Sequence, residues 1–402
     1  MSNKLIYLDN NATSKVDDKV FESMVPYLKD EYANPSSMYD FAKKSSDAIK
    51  ESRVKVRDFM NAENEREILF TSCGTESANT AIRGVLSMNK DKRHIITTKV
   101  EHPCVLNVYK MYEKLGYKVD YIGVISNGEL DLEQLAEAIT DDTALVSVMY
   151  ANNETGVINP IQKISEIIKS KNSNTKFYVD AVQAAGKIPI DIQALGVDMM
   201  GISGHKFHAP KGIGVLYVNS KTILTPLMIG GHQERGKRAG TENVPYIVGI
   251  GTACERATDN MHYELTEVKR LRDKLENGIL KNVYNARLNT GIANRVPNTS
   301  NIGFEYVEGE LILLHLSDLG ICASSGSACT SGSLEPSHVL RAMNVPFTAI
   351  HGSIRFSLSK YTTEDDIDYV ISKIPGVIEK IRDLSPYQEE LEELKRRKFA
   401  NV

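Results

Sequence analysis

Four stretches of this chain place reactive side chains where chemistry is possible. In ISGHKFHAPKGIG, Lys206 follows an apolar run and sits among small, hydrogen-bonding residues. A lysine so placed suits a Schiff base with an aldehyde, although a surface lysine in a loop carries the same letters. In FYVDAVQAAG, Asp180 ends a run of strand-forming residues. A carboxylate at the end of a buried strand needs a cation, such as a protonated pyridine nitrogen; a helix cap or a structural salt bridge is the plainer alternative. LFTSCGTESANTAIRG passes from a strand through a turn at Gly74 and Thr75 into a helix. Its amides and hydroxyl suit a phosphate, or serve as an ordinary cap. VEHPCVLN sets His102 just before another helix, where a flat ring is either structural or a stacking surface for a heteroaromatic group.

Phosphate turn, histidine, acid and lysine come in that order along the chain, each at the end of an apolar run. Ligands of open α/β sheets sit at the carboxyl ends of the strands. The combination points to one pyridoxal phosphate site, with the acid against the ring nitrogen and the lysine against the aldehyde.

The elements that must position these groups are legible in outline. From about residue 65 to 220, the short apolar runs EILFTS, HIITTK, KVDYIGV, ALVSVMYA, KFYVDAV, DMMGIS and GIGVLYV alternate with helix-period segments such as NVYKMYEKLG, LEQLAEAI and IQKISEIIKS. That alternation predicts an α/β fold, a mostly parallel sheet flanked by helices. Beyond residue 260 the texture changes. LTEVKRLRDKLENGIL reads as a long helix, SNIGFEYV and SIRFSLS as strands, ELILLHLSDLG as a helix. TTEDDIDYVISKIPGVIEKIRDL opens with the threonine and acidic residues of a helix N-terminus, and the charged tail YQEELEELKRRKFA suits an exposed helix. The expected division is a large domain over 15–258 and a smaller α+β domain over 259–402, joined by residues 1–14.

The chain has five cysteines and no CxxC pair, so neither a disulfide framework nor a self-contained zinc site fits. Cys73 and Cys104 read as small buried hydrophobes. Cys329 differs. It lies in SSGSACTSGS, among small residues with no apolar periodicity, and the expectation is a mobile loop in which Gly326 and Gly332 supply backbone freedom. Charge is balanced, 48 basic against 52 acidic residues over 402, which argues against a broad nucleic-acid face. The N-terminal residues lack the apolar core of a signal peptide, and no apolar run approaches membrane-spanning length. The expectation is a cytoplasmic protein with no membrane partner.

These motifs together resemble the class I cysteine desulfurases of the NifS/IscS type, which are fold-type I pyridoxal phosphate transferases. YLDNNAT, NPSS, TSCGTES, VEHPCVL, ANNETGVINP, VDAVQAAGK, SGHKFHAPKGIG, GGHQERGKRAGTENV, SSGSACTSGSLEPSHVL and SIRFSLSKYTTEDDID carry the likeness over nearly the whole length. The resemblance implies that Lys206 holds pyridoxal 5'-phosphate and shuttles protons, that Asp180 pairs with the pyridine nitrogen, and that His102 stacks on the ring and is a candidate catalytic acid–base partner for Cys329, as is the substrate itself. It implies that Asn153 and Gln183 reach the phenolic oxygen side, and that Gly74, Thr75, Ser203 and His205 cradle the phosphate. Thr241 is implied to reach the phosphate of a neighbouring subunit, making the active unit a homodimer. Arg355 matches the clamp for the substrate carboxylate, a task suited to a guanidinium. Cys329 matches the nucleophile that takes sulfur from L-cysteine as a persulfide, releasing alanine. The acceptor implied is an iron–sulfur scaffold protein; the chain holds no metal of its own, though Cys329 is placed to share a cluster with that scaffold transiently.

Two departures from the family pattern stand out. Met38 and Tyr39 follow NPSS where a histidine is usual, and Cys73 stands where a small residue is usual. Competing readings are a selenocysteine lyase or related pyridoxal phosphate lyase or aminotransferase, in which Cys329 is incidental, and a non-catalytic sulfur-carrier scaffold. The last is disfavoured by the absence of a cysteine cluster. The pathway stays open among general cluster assembly, nitrogenase maturation and tRNA thiolation.

Overall fold

The computed structural model describes residues 4–325, 336–387, 389–391 and 396. Cys329 and the loop expectation attached to it lie outside the described residues. So does most of the tail read as an exposed helix.

The chain opens with a short strand, β1 (Ile6–Tyr7). The seven apolar runs then become β2 (Ile68–Thr71), β3 (His94–Thr98), β4 (Lys118–Ile122), β5 (Thr143–Met149), β6 (Lys176–Asp180), β7 (Met199–Ser203) and β8 (Gly214–Val218). They form one sheet in the order β2-β8-β7-β6-β5-β3-β4. β3 to β7 run parallel to their neighbours within that group, whereas β8 runs antiparallel to both β7 and β2. The sheet is mostly parallel, as expected, with one reversed strand inserted near its edge. Every residue of β5, β7 and β8 is buried, which is why these strands read as continuous apolar runs rather than alternating ones.

Helices cover both faces because their apolar residues recur at helical spacing. In Ile161–Lys171, for example, Ile161, Ile164, Ser165 and Ile168 face inward. A close fit of helix to sheet occurs at Gly201 of β7, where an added Cβ would meet the Tyr178 hydroxyl at 2.6 Å and Ser77 Cβ at 3.2 Å.

A second, antiparallel sheet follows, built from β9 (Ala286–Leu288), β10 (Thr299–Phe304), β12 (Ser324–Ser325) and β13 (Ser353–Ser357) in the order β12-β13-β10-β9. β11 (Ile321–Cys322) instead pairs in parallel with β1. The second sheet's hydrophobic core gathers Ile6 and Leu8 with Leu271, Leu275, Ile302, Phe304, Ile354, Phe356, Val370 and Ile374. The helix Glu364–Asp383 closes this core; Thr363 caps it and Asp366 returns the bond to the Thr363 amide, the capping box that the TTEDD run announced.

The helix read from residue 265 does not start there. Val244–Tyr263 continues through a π turn at Glu264–Val268 into Lys269–Asn282. Its first half packs Ile247, Ile250 and Ala253 into the core of the large sheet, and its second half packs Leu271, Leu275 and Ile279 into the second core. The expected division at 258/259 falls within this helix. Among the described residues, no helix is long and apolar enough to cross a membrane.

Candidate active site

A cavity of about 580 Å³ opens between the carboxyl ends of β5, β6 and β7 and the second sheet. Gly74, Thr75, His102, Asn153, Asp180, Gln183, Ser203, His205, Lys206 and Arg355 all line it, although they span 282 positions of sequence from Gly74 to Arg355. Thr241 stands apart: it is exposed and does not line the cavity. Cys329 lies outside the described residues.

Asp180 is the last residue of β6, paired with Met149 of β5 and Gly201 of β7. The strand pairing buries its carboxylate, and its partners are neutral. Oδ1 accepts from the Val182 amide at 3.0 Å, and Oδ2 faces the Cys104 thiol at 3.8 Å. Burial raises its pKa above the ordinary carboxylate value, against the opposing pull of the Val182 amide and His102. A buried carboxylate with only neutral donors is a site for a cation.

Lys206 follows β7 through a short 3₁₀ turn, Gly204–Lys206. Its Nζ donates to the backbone carbonyls of Asn11 and Ala12, each at 2.7 Å. Burial, with Arg355 nearby, pulls the amine down to about 8, against Asp9 and Asp180. A lysine so depressed has an appreciable neutral fraction near pH 7, the form that attacks an aldehyde. His205, lowered to about 4 by burial and by Lys206, is neutral there, with Nδ1 at 3.2 Å from the Thr13 hydroxyl.

The helix Gly74–Met88 points its N-terminus at the cavity. A Cβ on Gly74 would lie 2.8 Å from Val182 Cγ2, so only glycine allows this close approach. The cap is Cys73, whose Sγ accepts from the Glu76 amide at 3.5 Å. The reading of Cys73 and Cys104 as core residues is therefore corrected: both are partly exposed and line the cavity. Their position at the starts of two helices, beside the sheet's carboxyl edge, outweighs the general tendency of free cysteine to be buried. Burial and the nearby Asp180 push the Cys104 thiol pKa well up, which disfavours the thiolate that a nucleophile needs.

His102 caps the helix Pro103–Lys114, its Nδ1 accepting from the Cys104 amide at 3.2 Å. That bond leaves the neutral ring with its proton on Nε2. Burial lowers its pKa, Lys206 lowers it further, and Asp180 opposes both. Across the cavity, Arg355 of β13 bonds Asp9 Oδ1 at 2.7 Å and the Asn153 carbonyl at 3.0 Å, while its buried Nε has no partner among the described residues.

Sequence reasoning passed over several residues here. Asn11, quoted within YLDNNAT without a role, touches four elements of the site. Its carbonyl accepts from Lys206 and from Gln183 Nε2 (3.0 Å), and its amide donates to the Asn153 carbonyl (3.2 Å) and the Thr299 hydroxyl (2.8 Å). Glu154, raised to about 7 by burial, accepts from Ser337 at the start of the helix His338–Ala342. His338 and Arg341 from that helix also line the cavity. The available signal was the density of asparagine and acid in YLDNNAT and ANNETG, since such residues rarely survive burial without hydrogen bonds. Met38 and Tyr39 are exposed and take no part in the cavity.

The aminotransferase class-V family model matches residues 6–370. A cysteine desulfurase of a Nostoc species is 56% identical over 96% of this chain and 95% of its own length. The cysteine desulfurase NifS of Azotobacter vinelandii is 52% identical over 95% of this chain and 94% of its own. A solved structure described as a NifS-like protein superposes with a TM-score of 0.88 at 39% identity, covering 94% of this chain and all of that one. With a family model spanning both sheets and relatives this similar end to end, the chain belongs to the aminotransferase class-V family and, within it, to the NifS-type cysteine desulfurases.

Proposed function

We propose that the cavity binds pyridoxal 5'-phosphate and that the protein uses it to take sulfur from L-cysteine, producing L-alanine and a persulfide on Cys329. The observation that carries this reading is the pairing, in one cavity, of a buried carboxylate served, among the described residues, only by neutral donors with a half-buried lysine depressed to about 8. Both fit the group: among the described residues Asp180 bonds no cation, where a protonated pyridine nitrogen would supply one, and Lys206, lowered to about 8, offers a larger neutral fraction to an aldehyde than an ordinary lysine. Gly74 leaves room for close approach of a phosphate to the helix N-terminus.

When bound, the cofactor supplies an electron sink for the substrate's α-carbon. The chain's residues do the rest. Gly74, Thr75, Ser203 and His205 would hold the phosphate, His102 would lie against the ring, and Asn153 and Gln183 would serve the phenolic oxygen. Asp180 keeps the ring nitrogen protonated. Lys206 would take the α-proton, while Arg355 would grip the carboxylate. The Cys329 thiolate forms the S–S bond. The substrate's C–S bond breaks, its electron pair goes to the β-carbon, a proton there completes the methyl group, and the proton taken by Lys206 returns to the α-carbon to give alanine. Thr241, away from its own cavity, serves the phosphate of a second copy in a homodimer. The persulfide then passes to an acceptor thiol, on an iron–sulfur scaffold in the cytoplasm.

The test is incubation of the purified protein with L-cysteine and a reducing thiol, with alanine and sulfide measured together. Equal amounts of both are expected. A Cys329→Ala variant that keeps full activity, or a wild-type enzyme that ignores L-cysteine in favour of selenocysteine, overturns the reading.

A further inference from the structure

Lys187 ends the VDAVQAAGK motif and has no role in the chemistry above, yet it is almost completely buried beneath the cavity, with 4% of its surface exposed. Burying an amine is costly, and the surrounding charges do not lighten that cost: Lys206 and Arg355 oppose a charge on it, and only Glu264 favours one. Glu264 comes from the π turn that joins the two halves of the long helix, and burial raises its own pKa to about 7. A structural lysine in such a place is expensive unless its hydrogen bonds do something that an apolar side chain cannot.

Those bonds go to two amide oxygens. Lys187 Nζ donates to Asn11 Oδ1 at 3.0 Å and to Gln183 Oε1. The two amides are oriented by independent contacts. The Asn11 amide nitrogen donates to the Asn153 carbonyl, and the Asn298 amide nitrogen donates to Asn11 Oδ1 at 3.2 Å, so oxygen must face Lys187. Gln183 Nε2 donates to the Asn11 carbonyl at 3.0 Å, so its oxygen also faces Lys187. Because a carbonyl only accepts, neither amide can be reversed without setting oxygen against oxygen. A neutral amine and an ammonium both have protons enough for two acceptors, so the arrangement does not depend on the charge of Lys187.

One proton of Gln183 Nε2 is spent on Asn11, and Gln183 lines the cavity. We infer that Lys187 is a positioning residue: by holding Gln183 Oε1 from below, it keeps the remaining Nε2–H of Gln183 turned into the cavity as a donor to the phenolic oxygen of the cofactor. The same amine also bonds the side chain of Asn11, whose backbone carbonyl accepts from Lys206. The inference rests on the reading of the cavity as a pyridoxal phosphate site.

The experiment uses the purified holoenzyme and the pH titration of its visible absorption band, which reports the proton equilibrium beside the phenolic oxygen. The variants are Lys187→Met, Gln183→Leu and the double. Lys187→Met is expected to move the midpoint in the same direction as Gln183→Leu, by at least about 0.5 unit, roughly a threefold change in the equilibrium. In the Gln183→Leu background Lys187→Met is expected to add nothing further, because it acts through that residue. A Lys187→Met enzyme with a lowered Tm but an unmoved band, or additive shifts in the double variant, overturns the inference. Should Lys187→Met fail to fold, a crystal structure of the wild-type holoenzyme decides. Gln183 Oε1 on Lys187 with Nε2 on the phenolic oxygen supports the inference, and Gln183 turned away from either overturns it. A wild-type protein that takes up no cofactor and shows no band removes the cofactor reading itself, and this inference with it. A normal wild-type band left unmoved by Lys187→Met removes only the inference.

Discussion

On the cavity wall built from the ends of β6 and β7, the buried Asp180 and the half-buried Lys206 bond neutral partners: an amide and a thiol for the acid, two carbonyls for the lysine. On the opposite wall, built from β13 and the segment after β1, Arg355 is already in an ion pair with Asp9 at 2.7 Å. The first wall is left electrostatically incomplete, and the second is tied in place. The difference matches two tasks. A cofactor that stays bound can supply the missing charge permanently, so the wall that holds it can be built without one. Under the proposed function a substrate that comes and goes needs a receptor that keeps its shape when empty, and Asp9 and the Asn153 carbonyl hold the Arg355 guanidinium in place.

The sharpest way to break the comparison is on the incomplete wall. Lys206→Ala should lower alanine formation by roughly 10⁴-fold or more and abolish the covalently held cofactor band. A coloured, active Lys206→Ala protein would remove the basis for the wall's role. Asp180→Asn should cost about 10²–10³-fold in kcat through loss of the charge that keeps the ring nitrogen protonated. Its second readout separates the walls. The raised pKa of Asp180 means that its charge opposes folding at any pH above the ordinary carboxylate value. The apo form of Asp180→Asn should therefore melt at or above the wild-type Tm, and a clear drop would show that the acid is structural after all.

Effects on the completed wall should be smaller and confined to substrate. Arg355→Lys keeps the charge but loses the planar fork, and KM for L-cysteine should rise about tenfold with kcat changed less. An unchanged KM would move the carboxylate clamp elsewhere. The gentlest test is pH. Because burial depresses Lys206 to about 8, the neutral amine grows as pH rises to that value and saturates above it. The rate at which apoprotein takes up pyridoxal phosphate should increase about tenfold from pH 7 to its plateau near pH 9. A rate that keeps climbing toward pH 10.5 would mean that the amine behaves as an ordinary exposed lysine.

The elements that carry the first wall were legible because their signals are local. Seven apolar runs became seven strands, and Asp180 and Ser203 fell at strand ends as the runs predicted. The reversal of β8 was not legible, since a fully buried strand reads the same in either direction. Nor was the joining of the two helices across the π turn at Glu264–Val268, which depends on both cores gripping one continuous helix. Cys73 and Cys104 were misplaced for a related reason: residue type predicts average burial, while their position at helix starts beside the cavity is a matter of assembly.

What the amino-acid order determined by itself was the class of fold, the residues with reactive chemistry and the family they belong to, because each rests on side-chain type and short-range spacing. Tertiary structure alone decided how those groups are tuned. Asn11 meets Lys206, Gln183 and Lys187 across more than 170 positions, and Asp9 meets Arg355 across 346. A hydrogen bond forms only where donor and acceptor are brought together in space, and a pKa moves only when water is excluded around a group. Both conditions are set by packing and by no local stretch of sequence.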